Sequence, residues 1–443
     1  MKKRFFALIL GMTVLAAALL CGCGNGASQQ GKQPTEEGSA LSVYVVESDA
    51  LYVQAVKDFQ KQAGADEVKI THFKSYQAMS DQMNVELMSK SGPDVVLYNG
   101  MQGEVDAWKL ANSGMFLSLD SFAQQLDGET YPAALMNAGK LAGKQYFIPF
   151  SYNLICAFTT EGRLAERGYS VSDNVYDTLL AESEALLGAA DRSPTTVNIF
   201  RPDPVNSFFD AAGVKCFDKD SGALLADKEE LEAVCRFVKL VYDNTDKTVK
   251  LSNKYSNDFA GAADHFTFFT EDYAFLNNVR YYQSMFQESV GSPMAVIPYH
   301  KLNDPQSLCA SIVCFGGVNA NSKMPDKAFE LLKYILDYPV TNNWSKYEAS
   351  SVYYAPVNLA VYESAVEELA STKGMGPVTI EPLTEDNAAL LRDIPGRITD
   401  AVIPNMTLGS SIQELFDPYF MGKDSFDNCY KALMDKLPLY LSE

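Results

Sequence analysis

Runs and alternations of apolar residues divide the chain into elements from residue 41 onward. Leu41-Ser42-Val43-Tyr44-Val45-Val46 predicts a strand, closed by the polar cluster Glu47-Ser48-Asp49. Val53, Val56, Phe59 and Gln60 then recur at helical spacing until Gly64 stops them. Val68-Lys69-Ile70 predicts a second strand, and Met79 to Met88 a second helix. Gly92-Pro93 breaks the chain before Asp94-Val95-Val96-Leu97-Tyr98, an apolar run that predicts a third strand. Strand, helix, strand, helix, strand is the βαβ rhythm of a mainly parallel sheet. Ligands of open α/β sheets sit beyond the carboxyl ends of the strands, which points at Glu47, Ser48, Asp49, Tyr98 and Asn99.

Farther on, Gly143 to Phe150 forms a turn leading into an extended segment, followed by Tyr152, Asn153 and the apolar run Leu154 to Phe158. Phe217 to Ala223 reads as a hairpin-like turn. Lys228 to Tyr242 is an amphipathic helix, with Leu231, Val234, Cys235, Val238 and Val241 on one stripe. Tyr273-Ala274-Phe275-Leu276 is strand-like and ends at Asn277-Asn278. Ser292 to Pro298 is extended, and Ser311 to Val318 predicts a buried strand with glycines near its end. Pro325 to Asp337 predicts a helix with proline in its first turn, and a closing helix is expected from about Ser425 to Leu439. No internal repeat is visible.

The first residues follow a different pattern. Met1-Lys2-Lys3-Arg4 precedes an apolar run from Phe5 to Leu20, too short for a comfortable membrane span, and then Cys21-Gly22-Cys23. Leu20 three before Cys23, with Gly22 just before it, forms a lipobox. Residues 1–22 are therefore expected to be a lipoprotein signal peptide, with the lipid on Cys23. Residues 23–40, rich in Gly, Gln, Ser and charge, are expected to be a flexible tether. This places the chain on the extracytoplasmic face of a bacterial cell membrane, anchored by lipid. Multiple acyl chains would be needed there, since one binds only marginally.

The 443 residues exceed one compact core and suggest two lobes. The net charge is −20, and −23 once Lys2, Lys3 and Arg4 leave with the signal. Such acidity disfavours nucleic acid as a partner. Apart from Cys21 and Cys23, six cysteines remain. They permit disulfides, but no short spacing recurs, and free buried thiols are the expectation.

Catalytic signatures are missing: no Gly-x-Ser-x-Gly, no His-Glu-x-x-His, no phosphate-binding Gly-x-x-x-x-Gly-Lys loop. His72, His265 and His300 lie far apart in unlike segments, poor material for zinc or a triad. Asp218-Lys219-Asp220-Ser221-Gly222 lacks the further acidic ligands of a calcium loop and reads as a surface hairpin. No metal or cofactor is expected. Tyrosines beside amides, at Tyr98-Asn99, Tyr152-Asn153 and Tyr353-Tyr354, suit a cleft that stacks rings on sugar faces and hydrogen-bonds hydroxyls.

Five segments together resemble the extracellular solute-binding protein family 1, which includes maltose-binding proteins, the capture components of ABC importers. They are Gly92-Pro93-Asp94-Val95-Val96 with Ala111 to Leu119, Gly143 to Pro149, Tyr273 to Asn278, Gly317 to Ser322 with Ala328 to Leu336, and Tyr354 to Asn358. The resemblance spans about residues 41 to 443. It implies an α/β, two-lobed periplasmic-binding-protein-like fold of type II, with the ligand cleft between lobes joined by crossover strands near Phe150, Pro298 and Ser351. Residues 41–150 and 299–351 would form lobe 1, and 151–298 and 352–443 lobe 2. By position it implies ligand contacts at Glu47, Ser48, Asp49, Tyr98, Asn99, Tyr152, Asn153, Asn277 and Asn278. Many sugar binders of the family carry tryptophan two residues past that last amide, where this chain has Arg280, a further candidate ligand contact that could pair with an acidic ligand group or face solvent. The expected function is capture of a sugar or oligosaccharide by a non-catalytic monomer and its delivery to an ABC permease. A secreted carbohydrate-cleaving lipoprotein and a ligand-sensing receptor subunit are the alternatives.

Overall fold

The computed structural model describes residues 40–100, 106–170, 175–178, 181, 197–199, 205–244, 268–271, 275–339, 354–373 and 380–442. The signal peptide, nearly all of the tether, Tyr273, Ser351 and Tyr353 lie outside these residues.

The predicted rhythm opens the fold. β1 (Leu41–Val46), α1 (Ala50–Ala63), β2 (Val68–Phe73), α2 (Tyr76–Met88) and β3 (Val95–Asn99) follow in order. β1 pairs with β2 and with β3, both in parallel. α1 buries Val53, Val56 and Phe59 of the stripe that its spacing predicted, together with Leu51, Tyr52 and Ala55, while Gln60 is only half-buried. A short α3 (Ala107–Asn112) leads on to β4 (Phe147–Asn153), which is buried at every position.

At Leu154-Ile155 the chain leaves the first sheet and enters a second through β5 (Cys156–Thr160), which pairs with β6 (Val197–Ile199) by way of a strand described below. α4 (Val205–Ala212) and α5 (Lys228–Asn244) cover one face of this sheet. Between them Phe217 bridges Leu224, closing the expected hairpin, in which the Asp218 carboxylate accepts the Ser221 N–H (2.7 Å) and hydroxyl (2.8 Å). β7 (Phe268–Glu271), α6 (Phe275–Val290) and β8 (Met294–Pro298) complete the second sheet, ordered β8-β5-β7-β6.

The chain then returns through β9 (Asp304–Val318), a fifteen-residue strand, and α7 (Pro325–Leu336). β10 (Ala355–Pro356), α8 (Leu359–Ser371), α9 (Glu385–Arg397), β11 (Ile398–Val402), α10 (Met406–Phe420) and α11 (Phe426–Ser442) close it. The first sheet runs β10-β4-β9-β3-β1-β2, with β11 added along β9. The expected crossings near Phe150 and Pro298 correspond to the passages β4–β5 and β8–β9. That expected near Ser351 lies outside the described residues, and β11 makes a further passage, from the first sheet towards α10.

One hydrophobic core runs beneath the first sheet and continues under α6 and α8. The second gathers α4, α5, α10 and α11 against Ile155, Ala157, Ala295 and Ile297 of the second sheet. Since alternate residues point to opposite faces, Cys156, Phe158, Met294 and Val296 of the same strands join the first core. Gly316 and Gly317 of β9 let neighbours press onto the strand. A Cβ on Gly316 would meet Leu332 Cδ2 at 2.7 Å, and one on Gly317 would meet Phe116 Cδ1 at 2.7 Å.

Among the described residues all six remaining cysteines are free thiols, five of them buried. Cys309 and Cys314 both lie along β9, where an extended backbone holds them too far apart to bridge.

One sequence reading is overturned. Phe275 to Asn278, expected as a strand end and turn, forms the first turn of α6. Its apolar residues Leu276, Val279, Tyr282 and Phe286 recur at three- and four-residue spacing and bury together, a period that four residues could not reveal.

Candidate functional site

β1, β3 and β4 end on the same edge of the first sheet. β9 lies antiparallel between β3 and β4, with Cys314 opposite both Asn99 and Ser151. Ser151, Cys314 and Asn99 therefore form one row across three strands, on one face. Asn153 lies two residues beyond Ser151 on that face, and Asp49 follows the end of β1.

Asp49 is 3% exposed, and Asn99 and Asn153 are likewise buried. Asn99 Nδ2 donates to Asp49 Oδ1 at 3.4 Å. Tyr52, one turn into α1, shares a 3.3 Å hydrogen bond with the Ser151 hydroxyl. Burial pushes the Asp49 carboxyl up to about 7, and the Asn99 amide opposes only part of that rise. Near neutral pH this group is thus shared between a proton-donating acid and an accepting carboxylate. Beside two amides and two hydroxyls, that suits an uncharged polyhydroxyl ligand, whose hydroxyls both donate and accept.

The shift sets a pH dependence. The native Asp49 carboxyl holds its proton to about pH 7, the unfolded one only to about 3.8. Its contribution to stability is complete below pH 3.8, falls as pH rises towards 7, and is lost above that. Asp49→Asn, which keeps the shape but cannot ionise, should gain on the wild type by on the order of 3 kcal/mol between pH 4 and pH 8. Urea unfolding of both proteins at the two pH values measures it, and parallel curves would refute the assignment.

The structure separates the other expected residues from this row. Glu47 and Ser48 are exposed at its rim. Tyr98 and Tyr152 precede Asn99 and Asn153 by one residue, so their rings point to the opposite face of the sheet. Tyr98 is stacked on Phe315 with centroids 5.1 Å apart, edge-on to Phe147, with its hydroxyl 3.2 Å from Met83 Sδ. Tyr152 is stacked on Tyr362. Both are core residues, which corrects the expectation that they line a cleft. Asn277 and Asn278 occupy the first turn of α6. Arg280 is corrected as well. Its side chain is buried and turns towards α8, with Nη1 3.4 Å from the Thr372 carbonyl, and does not face solvent.

Ser151 and Tyr52 belong to the row yet were missed. Ser151 sits inside an apolar run and Tyr52 on a helical stripe, so hydropathy alone does not distinguish them, although strand alternation from Asn153 points at Ser151. Among the described residues no three His, Cys, Asp or Glu side chains gather as metal ligands.

No protein-family description and no curated relative matches the chain. Solved structures do. The sugar-binding protein MalE from Xanthomonas citri superposes with a TM-score of 0.64 at 12% identity, over 91% of this chain and 98% of that one. A sugar transporter protein from Rhizobium etli, in an open conformation, gives 0.64 at 16% identity over 90% and 99%. An ABC substrate-binding protein from Listeria monocytogenes, in complex with cycloalternan, gives 0.59 at 14% identity over 91% and 99%. These likenesses establish the fold as the two-lobed, type II periplasmic-binding-protein architecture.

Proposed function

We propose that this chain is a solute-binding protein that captures a sugar or oligosaccharide and hands it to an ABC importer. The observation that carries this reading is the row Asp49, Asn99, Ser151 and Asn153, set where the first sheet ends and the chain crosses to the second. It supplies uncharged donors and acceptors and one carboxyl near half-protonation, and the Cys314 thiol in the same row is kept protonated by burial. The structures that share the fold carry names of sugar and oligosaccharide binders, which supports the same ligand class. Closure of such a two-lobed protein requires a ligand that contacts both sides at once, because only differential affinity shifts the equilibrium. In this reading Cys23 carries the lipid, residues 24–40 give reach, and the protein works as a monomer beside its permease.

A sugar screen by thermal shift tests the function. At least one mono- or oligosaccharide should raise the unfolding midpoint by several degrees and be recovered uncleaved after long incubation. Asp49→Asn should change its affinity while leaving the fold intact. Failure of every sugar, or turnover of the one that binds, would overturn the proposal. Anchoring is tested separately: Cys23→Ser should release the protein from cells, and a variant that stays membrane-bound would remove the lipid from the account.

A further inference from the structure

A cavity among the described residues lies away from the strand-end row and shares no residue with it. Its volume is about 300 Å³, within the range of small-molecule sites. Its walls come from both hydrophobic cores, with Trp108 of α3 and Phe147 of β4 on one side and Phe209 of α4 on the other. The hairpin that follows α4 closes over it. Trp108 Nε1 donates to the Lys219 carbonyl at 2.7 Å, and the Ala142 N–H donates to the Asp220 carboxylate at 2.6 Å. The two sides are thus pinned to each other around the cavity.

Three lysines, Lys140, Lys215 and Lys219, and four aspartates, Asp210, Asp218, Asp220 and Asp400, line it, leaving one carboxylate in excess. Lys215 Nζ lies 2.8 Å from Asp400 Oδ2, and the two neutralise each other. Asp210 also lines the cavity, and among the described residues its carboxylate receives no hydrogen bond. Burial pushes this carboxyl up to about 7, opposed only in part by Lys215. An under-compensated carboxylate within a largely apolar, ring-lined space is a setting for a cation. Ring faces attract an ammonium, the carboxylate pairs with it, and the apolar surface accepts its body.

We propose that this cavity is a second binding site, separate from the strand-end row, for a small primary amine with an apolar body, its ammonium directed at Asp210. The walls come from both cores, so an occupant bridges the two sides of the molecule.

The test compares benzylamine with benzyl alcohol, which has the same shape but no charge. By calorimetry on the purified protein, benzylamine should bind at least about tenfold more tightly than the alcohol. In crystals soaked with 4-bromobenzylamine, the bromine should lie among Trp108, Phe147 and Phe209. Asp210→Asn should abolish the preference for the amine. Equal affinity for amine and alcohol, binding of neither, bromine at another place, or an unchanged preference in a folded Asp210→Asn protein would each overturn the proposal. If that variant does not fold, the bromine position and the amine-to-alcohol ratio of the wild type decide.

Discussion

Replacing Tyr98 by alanine should destabilise the protein by about 3–5 kcal/mol, the cost of emptying a large aromatic site in a packed core. Tyr98 is 2% exposed and touches Phe116, Phe147 and Phe315, three rings supplied by three different parts of the chain. No neighbour can move into the space without abandoning another contact. Tyr98→Phe should cost less than about 1 kcal/mol, since it removes only a hydroxyl contact to a thioether sulfur. Denaturant unfolding of the three proteins measures both values. If Tyr98→Ala kept full stability and lost ligand affinity instead, the ring would belong to the binding site after all.

Gly139→Ala should cost about 3 kcal/mol, at the upper end of overpacking penalties. A Cβ at this position would stand 2.0 Å from the Phe147 carbonyl oxygen and 2.7 Å from Gln145 Nε2. That oxygen belongs to the backbone of β4 and accepts the Gln145 amide at 2.6 Å, so it cannot swing aside. Gly139 also accepts the Tyr146 N–H at 3.0 Å, which holds the chain on both sides of the short loop between them. A thermal midpoint within a degree of the wild type would show that the loop yields more easily than this packing implies.

Much of the architecture is legible in the residues because its elements carry a strong period. Leu231, Val234, Cys235 and Val238 mark α5, and Ala328, Leu331, Leu332 and Ile335 mark α7. The opening βαβ rhythm survives for the same reason. What escaped was decided by distant packing. α8, α9 and α10 present weaker stripes, and Phe275-Leu276, strand-like in sequence, gave way to the helix that starts at Phe275. The candidate site shows the limit most clearly. The strand-end rule points at Asn99 and Tyr98 together, and the family resemblance at Asn153 and Tyr152 together, so each tyrosine is grouped with its neighbouring amide. In a strand, adjacency means opposite faces. A tyrosine–asparagine pair there divides its labour, one side chain holding the core and the other facing the edge. Ser151, two residues before Asn153, was the member that parity favoured.

The thiols that pack the interior also make a clock. Cys156, Cys235, Cys309, Cys314 and Cys429 are each 4% exposed or less, and burial raises the pKa of every one of them. Only a thiolate reacts quickly with oxidants or disulfide reagents. In the native state these sulfurs are therefore kept from reagent by both access and protonation. Labelling must wait for the chain to open, and its rate then reports how often each neighbourhood unfolds. Cys314 reports the sheet beneath Asp49, while Cys235 and Cys429 report the helices of the second core. If this protein works in an oxidising environment, its lifetime there is set by the same openings, and any mutation that loosens the interior would shorten it chemically before it unfolded outright.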